Sequence, residues 1–138
     1  MNSPIVDIKA DICNLPFSDN SFDYILCNHV LEHIYDDEKA MKEIYRVLNK
    51  NGIAILQVPI DINSDLTHEG RDIDDKEVRN KLFGQYDHLR IYGLDYFKKL
   101  KKVGFNVKNI DYLSKLNKEE IEKFSLINSG TIPVCIKD

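Results

Sequence analysis

Across residues 22–59 the apolar positions switch from strand spacing to helix spacing and back. Phe22, Tyr24, Ile25, Leu26 and Cys27 place apolar side chains on both alternating faces before the chain turns polar at Asn28 and His29. This predicts a strand buried on both sides, as in a parallel sheet, opening into a loop. Met41, Ile44, Tyr45 and Leu48 then recur at helical spacing, with Glu38, Lys39, Lys42, Glu43 and Arg46 on the opposite arc. That predicts an amphipathic helix over residues 37–49. Asp36 or Asp37 supplies its cap, and Asn51 with Gly52 supplies a position that tolerates positive φ beyond its end. Residues 53–58 form a second apolar strand that Pro59 ends by removing a donor. The three elements make a βαβ unit, which crosses over right-handed.

The rest of the chain is built around that unit. Residues 5–10 read as a short first strand, and Leu15, Pro16 and Phe17 as a turn. Residues 61–75 turn to Asp, Asn, Ser, Thr, His and Gly, which predicts an exposed, mobile loop. Val78, Leu82 and Phe83 predict a short helix begun at Asp74 or Asp75 and stopped by Gly84. Gln85, Tyr86, His88, Arg90 and Tyr92 follow in a stretch dense in hydrogen-bonding and aromatic groups, suited to a ligand, with Arg90 matched to a carboxylate or phosphate. Leu94, Phe97 and Leu100 predict a helix closed by Gly104. Phe105, Val107 and residues 110–113 predict a strand, and Asn117 with Glu120 a capping box opening a helix. Residues 131–136 predict a last strand, part of which Pro133 takes out of regular pairing.

Length and charge narrow the class. The 138 residues suit one domain, and 19 basic against 23 acidic residues give a net charge of −4. The charges are interspersed, which argues against nucleic acid or a membrane surface as the main partner. Three cysteines without CxxC spacing are expected as reduced thiols of a cytoplasmic protein. No apolar run approaches the length of a membrane span, and the first residues carry no basic-then-apolar leader pattern.

At Asp11 and Ile12, at Leu15, Pro16 and Phe17, at Asn20, Ser21, Phe22 and Asp23, at His29, Val30, Leu31, Glu32, His33 and Ile34, at Arg46, Val47 and Leu48, and at Gly52, the pattern resembles class I S-adenosylmethionine-dependent methyltransferases. Gln85, Tyr86, Asp87 and His88, continued to Tyr92 and Gly93, are similar to a bacterial subgroup of that family. The resemblance implies an α/β fold: a doubly wound, mostly parallel sheet of strand order 3-2-1-4-5-7-6. This chain would supply strands 3–7 without strands 1 and 2, as an N-terminally truncated domain over residues 1–138 with its helices mainly on one face. It implies S-adenosylmethionine as cofactor and an unidentified methyl acceptor. By the same resemblance, Asp11 accepts from the adenine amine and Ile12 lies against the ring, while Asn28 and His29 face the methionine part. The six glycines, at 52, 70, 84, 93, 104 and 130, form no GxG, and the acid that ends the family's second strand has no counterpart. Losing two charge-assisted hydrogen bonds at ~1.5–3 kcal/mol each weakens binding by roughly 10²–10⁴-fold.

His33, beside Glu32 at the entry to the helix, is the candidate general base, and Gln85, Tyr86, His88, Arg90 and Tyr92 are the substrate-side candidates. Two other readings compete with the enzyme. One is a non-catalytic binding module that kept the fold. The other is a zinc hydrolase, because His29 to His33 spell H-x-x-E-H; that motif needs both histidines on one helical face, whereas His29 directly follows a strand, so no metal is expected. The strand order leaves one sheet face and one edge uncovered, which predicts a homodimer.

Overall fold

The computed structural model describes residues 7–124, 126 and 132–138. In chain order the elements are β1 (Phe22–Leu26), α1 (Asp37–Val47), β2 (Leu48–Ile55), β3 (His68–Glu69), α2 (Lys76–Phe83), β4 (Arg90–Ile91), α3 (Tyr96–Val103), β5 (Asn106–Ile110), α4 (Lys118–Lys123) and β6 (Ile132–Ile136). Short 3₁₀ turns occupy Leu31–His33 and Leu113–Lys115.

Local chemistry sets most of these boundaries. The Asp36 carboxylate accepts from the Lys39 amide at 3.0 Å and opens α1, and Asp75 does the same for α2 through the amides of Glu77 and Val78. Gly84 ends α2 at φ 80°, and Asn117 with Glu120 forms the predicted capping box of α4. Helix α1 stops two residues short of the predicted end because Leu48 is already extended and pairs with Phe22. The chain then turns at Asn51, φ 62°. Gly52 permits the close return, since a Cβ there would lie 2.8 Å from the Asn49 carbonyl oxygen.

The main sheet has the order β1-β2-β6-β5, the family's 4-5-7-6. Only β1 and β2 pair in parallel; β6 runs antiparallel to both β2 and β5. Among the described residues the sheet is therefore mixed rather than mostly parallel, because the strands expected to add parallel pairing are not among them. The expected strand over residues 5–10 is also corrected. Residues 7–10 form no strand and Ile8 is exposed, as follows when no strand among the described residues lies beside them to pair with; Ile5 and Val6 lie outside the described residues. Pro133 stands inside the inner strand β6, at a point where the ladder to β2 has already ended at Val134 and only β5 lies beside it.

Helices α1 and α3 cover one face of the sheet. Ala40, Met41 and Ile44 from α1 and Tyr96 and Leu100 from α3 pack on Cys27, Ala54, Leu56 and Cys135 in the core. The ladder places Tyr24, Ile53 and Ile136, and then Leu26, Ile55 and Val134, on the opposite face. Tyr24 and Leu26 are each 74% exposed there. Residues 61–75 are tied down rather than loose: Thr67 donates to Asp95 at 2.7 Å, the Gly70 amide donates to the Leu89 carbonyl at 2.7 Å, and β3 pairs with β4.

Candidate functional site

The C-terminal tip of β1 is the natural ligand position of an α/β sheet. The chain leaves β1 through Cys27 and Asn28, and His29 adopts a left-handed φ of 54°, its amide donating to the Gln57 carbonyl at 2.8 Å. This turn throws Leu31–His33 back under the sheet end, so that Leu31 and Glu32 are buried.

A groove of about 780 Å³ runs along the free side of β1, lined by Ile12, Asn28, Val30, Tyr24 and Leu26 among other apolar side chains. Its size suits a small-molecule ligand. Ile12 and Asn28, two of the four expected cofactor contacts, line it together. Asp11 is exposed and its carboxylate accepts from the Cys13 amide at 2.9 Å. The His29 side chain is 61% exposed and lies beside Glu32 rather than in the groove lining. The groove thus fits an adenine ring at its apolar wall. No acidic or basic side chain lines it to meet ribose hydroxyls or a methionine carboxylate, so the described residues fit one end of the cofactor only.

The substrate-side candidates separate into two groups. Gln85 is exposed, and Tyr86 lies with Lys76, Glu77 and Asn80 in a shallow pocket on α2. Arg90 and Tyr92 are fully buried. The Arg90 guanidinium donates to the carbonyls of Leu31 at 2.9 Å, Ile34 at 2.6 Å and Tyr35 at 3.2 Å, and to Glu69 at 3.1 Å. The Tyr92 hydroxyl donates to Asp37 at 2.9 Å. Their donors are committed to the protein, so the expectation that they meet substrate is corrected: they clamp β4 to the turn after β1. The same stretch of sequence reads as a ligand loop because burial, which decides between the two roles, is a tertiary property.

Burial also removes several groups as nucleophiles or bases. It pushes the Cys27 thiol up to about 11, with the charge of Glu32 adding to the effect, and the Cys135 thiol up to about 12. It raises the Tyr92 phenol far above its ordinary range, with Asp37 reinforcing the shift. Glu69 is held below the usual carboxylate range: burial raises it, but the hydrogen bond from Arg71 and the charge of Arg90 outweigh that.

His33 and His88 come together, their ring centroids 4.8 Å apart. The His33 Nδ1 lies 3.3 Å from the Asp87 carbonyl and 3.5 Å from its carboxylate; the His88 Nδ1 lies 3.0 Å from the Phe83 carbonyl. Glu32 completes the cluster, with one potential ligand atom from each of the three within 4.8 Å of the others. The sequence shows Glu32 only as part of the H-x-x-E-H spelling; its burial and its meeting with His88 are not legible there, and Leu31 before it and Ile34 two residues after it are the only hint of burial.

The arrangement so far defines a class: an α/β sheet protein with a ligand groove at the tip of its first described strand. Comparison with known proteins narrows it. Residues 2–56 match the family described as methyltransferase domain. An uncharacterised protein of Methanocaldococcus jannaschii is 33% identical over 106 residues, 77% of this chain and 48% of that protein. The demethylmenaquinone methyltransferase of Staphylococcus epidermidis is 42% identical over 48 residues, 35% of this chain and 20% of that protein. A solved structure from Thermotoga maritima, an S-adenosylmethionine-dependent methyltransferase described as a possible histamine N-methyltransferase, has a TM-score of 0.57 at 20% identity, covering 95% of this chain and 63% of that one. In sequence the chain is thus similar to methyltransferases over its first residues, and its fold is like that of a solved S-adenosylmethionine-dependent methyltransferase over most of its length. It spans half or less of the length of these sequence relatives.

Proposed function

We propose that this chain forms the acceptor-side part of a methyltransferase that moves a methyl group from S-adenosylmethionine to an O, N, S or C nucleophile. The observation that carries the reading is the groove along β1, where Ile12 offers an apolar wall for the adenine and Asn28 a polar group at the strand tip. The cofactor supplies an electrophilic methyl on a sulfonium. The protein's own contribution is alignment of the groups, which can dominate such a transfer without a dedicated base. The edge of β1, unpaired among the described residues, and the uncharged groove support a site completed by a further strand and loop beside β1, which would bring the contacts to ribose and carboxylate. Three free thiols, Cys13, Cys27 and Cys135, support a reducing, cytoplasmic setting. No helix among the described residues is long and apolar enough to cross a membrane.

The second reading is a binding module without catalysis, favoured by the absence of charged groups from the groove lining. Calorimetric titration with S-adenosylhomocysteine separates the two. The enzyme reading expects roughly micromolar to millimolar affinity, after the loss of two polar contacts. It further expects that Asn28→Ala or Ile12→Asp abolishes binding. Absence of heat at several millimolar ligand gives the module.

A further inference from the structure

Glu32 is the least explained side chain in the structure. It is 1% exposed, and neither carboxylate oxygen has a hydrogen-bond partner among the described residues. The His29 Nδ1 stands 3.4 Å from Oε1, but out of line for a hydrogen bond. Asp87 Oδ1, on the other side of the cluster, is likewise buried and unpartnered. A buried carboxylate without a donor costs several kcal/mol relative to water. A cation placed between Glu32 and its neighbours removes that cost.

We propose that Glu32, His33 and His88 hold a divalent transition-metal ion. Both rings are already oriented for it. The carbonyl of Phe83 can only accept, so His88 carries its hydrogen on Nδ1; the Asp87 carbonyl fixes His33 in the same way. Each ring is left with Nε2 as its lone-pair donor, and the backbone oxygens act as the outer partners that ligating histidines ordinarily have. Two imidazoles and a carboxylate suit zinc, cobalt, nickel or ferrous iron better than magnesium or calcium. Ligand atoms around a tetrahedral ion with bonds of about 2.0–2.1 Å sit about 3.4 Å apart. The present separations of up to 4.8 Å therefore close by up to about 1.4 Å on the ion, within the reach of side-chain rotation. Three protein ligands leave one position for water or for an oxygen or nitrogen of an incoming molecule, on the side where His33 is 29% exposed. This site is not the one the H-x-x-E-H spelling suggests. It uses the glutamate and the second histidine of that motif and takes its other imidazole from His88, while His29 stays outside. It also makes His33 a ligand instead of a base, and it stands whether or not the chain binds S-adenosylmethionine.

The test uses the full 138-residue chain, stripped with chelator and titrated with cobalt(II) and zinc(II) by calorimetry and visible absorption. The expected result is one ion per chain at roughly micromolar affinity or tighter, with the intense cobalt bands of a four-coordinate site. Glu32→Gln is expected to raise the unfolding midpoint of the metal-free chain, since it removes the unpaired charge, and to weaken cobalt binding by at least ~100-fold. His33→Ala, at a partly exposed position, is expected to weaken binding with the fold retained by circular dichroism, and His29→Ala to leave it unchanged. No saturable binding below millimolar ion overturns the proposal. So does binding that survives both Glu32→Gln and His33→Ala, or a metal-free Glu32→Gln chain that is less stable than the parent.

Discussion

Two side chains show how single residues organise this protein. Arg90 spends its guanidinium on three carbonyls of the turn after β1 and on Glu69. Arg90→Ala takes this donor from the Ile34 and Tyr35 carbonyls, while Leu31 keeps Tyr92 and Glu69 keeps Arg71, and urea unfolding is expected to show a loss of about 3–5 kcal/mol. Arg90→Lys recovers only part of this, because one ammonium cannot reproduce a planar fork. A variant as stable as the parent would return Arg90 to the substrate side. Arg46 plays a similar part on the surface: it is paired bidentately with Glu43 and also donates to the carbonyls of Leu15 and Phe17. Hydrogen bonds from Arg46 hold the Glu43 carboxyl down at about 2, against burial, which raises it, and with help from the Leu15 amide. A carboxyl depressed in the folded state stabilises above its unfolded value of 4.5 and loses that contribution as pH falls toward 2. The thermal midpoint of the parent is thus expected to fall more steeply than that of Glu43→Gln between these two values.

At the scale of elements, α1 is fixed at both ends by side chains, but of different kinds. Its N-terminus is capped locally by Asp36. Its C-terminus is met by Lys137, whose ammonium donates to the carbonyls of Tyr45, Arg46 and Leu48 and to the Asn20 side chain. A cation there satisfies the last carbonyls and complements the helix dipole. It also staples the end of the chain, just past β6, to the helix between β1 and β2. Lys137→Met is expected to cost about 1.5–3 kcal/mol in chemical unfolding, more than an isolated surface charge contributes. A loss below a few tenths would mean that solvent replaces the ammonium freely.

For the whole molecule, the decisive feature is a sheet that the described residues cover on one face only. Right-handed crossovers that progress in one direction put α1 and α3 on the same side. Tyr24, Leu26, Ile53, Ile55, Val134 and Ile136 are left on the other. Tyr24 and Leu26 at the β1 edge are largely exposed, beside a ladder that no other described residue pairs. Such a surface recruits other strands or faces. The 138-residue chain is accordingly expected to dimerise through this face, with Leu26→Glu converting it to a monomer in light scattering. A parent that stays monomeric at high concentration removes the dimer.

The sequence by itself determined the elements whose causes are local. The period change across residues 22–59 gave β1 and α1 and the existence of β2, but not its bounds: β2 runs Leu48–Ile55 instead of over residues 53–58, because Leu48 already pairs with Phe22 and the strand ends before Pro59 is reached. Asp36, Asp75 and the Asn117 and Glu120 pair set the helix starts, and Gly84 and Gly104 set two of the ends, because caps and backbone freedom act within one turn. The spaced motif along the chain carried the resemblance to methyltransferases and the order of β1, β2, β6 and β5. Only the tertiary structure decided which polar groups face a ligand. Arg90 and its acceptor Leu31 lie 59 residues apart, and Lys137 and Asn20 lie 117 apart, so neither pairing leaves a periodic trace. In the sequence Glu32 pairs with His29 and His33 in a motif spelling; the fold instead buries it after the turn at His29 and brings His88 beside it. Burial and partnership are sums over distant neighbours, and they turned two expected ligand contacts into clamps and one bystander into the centre of a cluster.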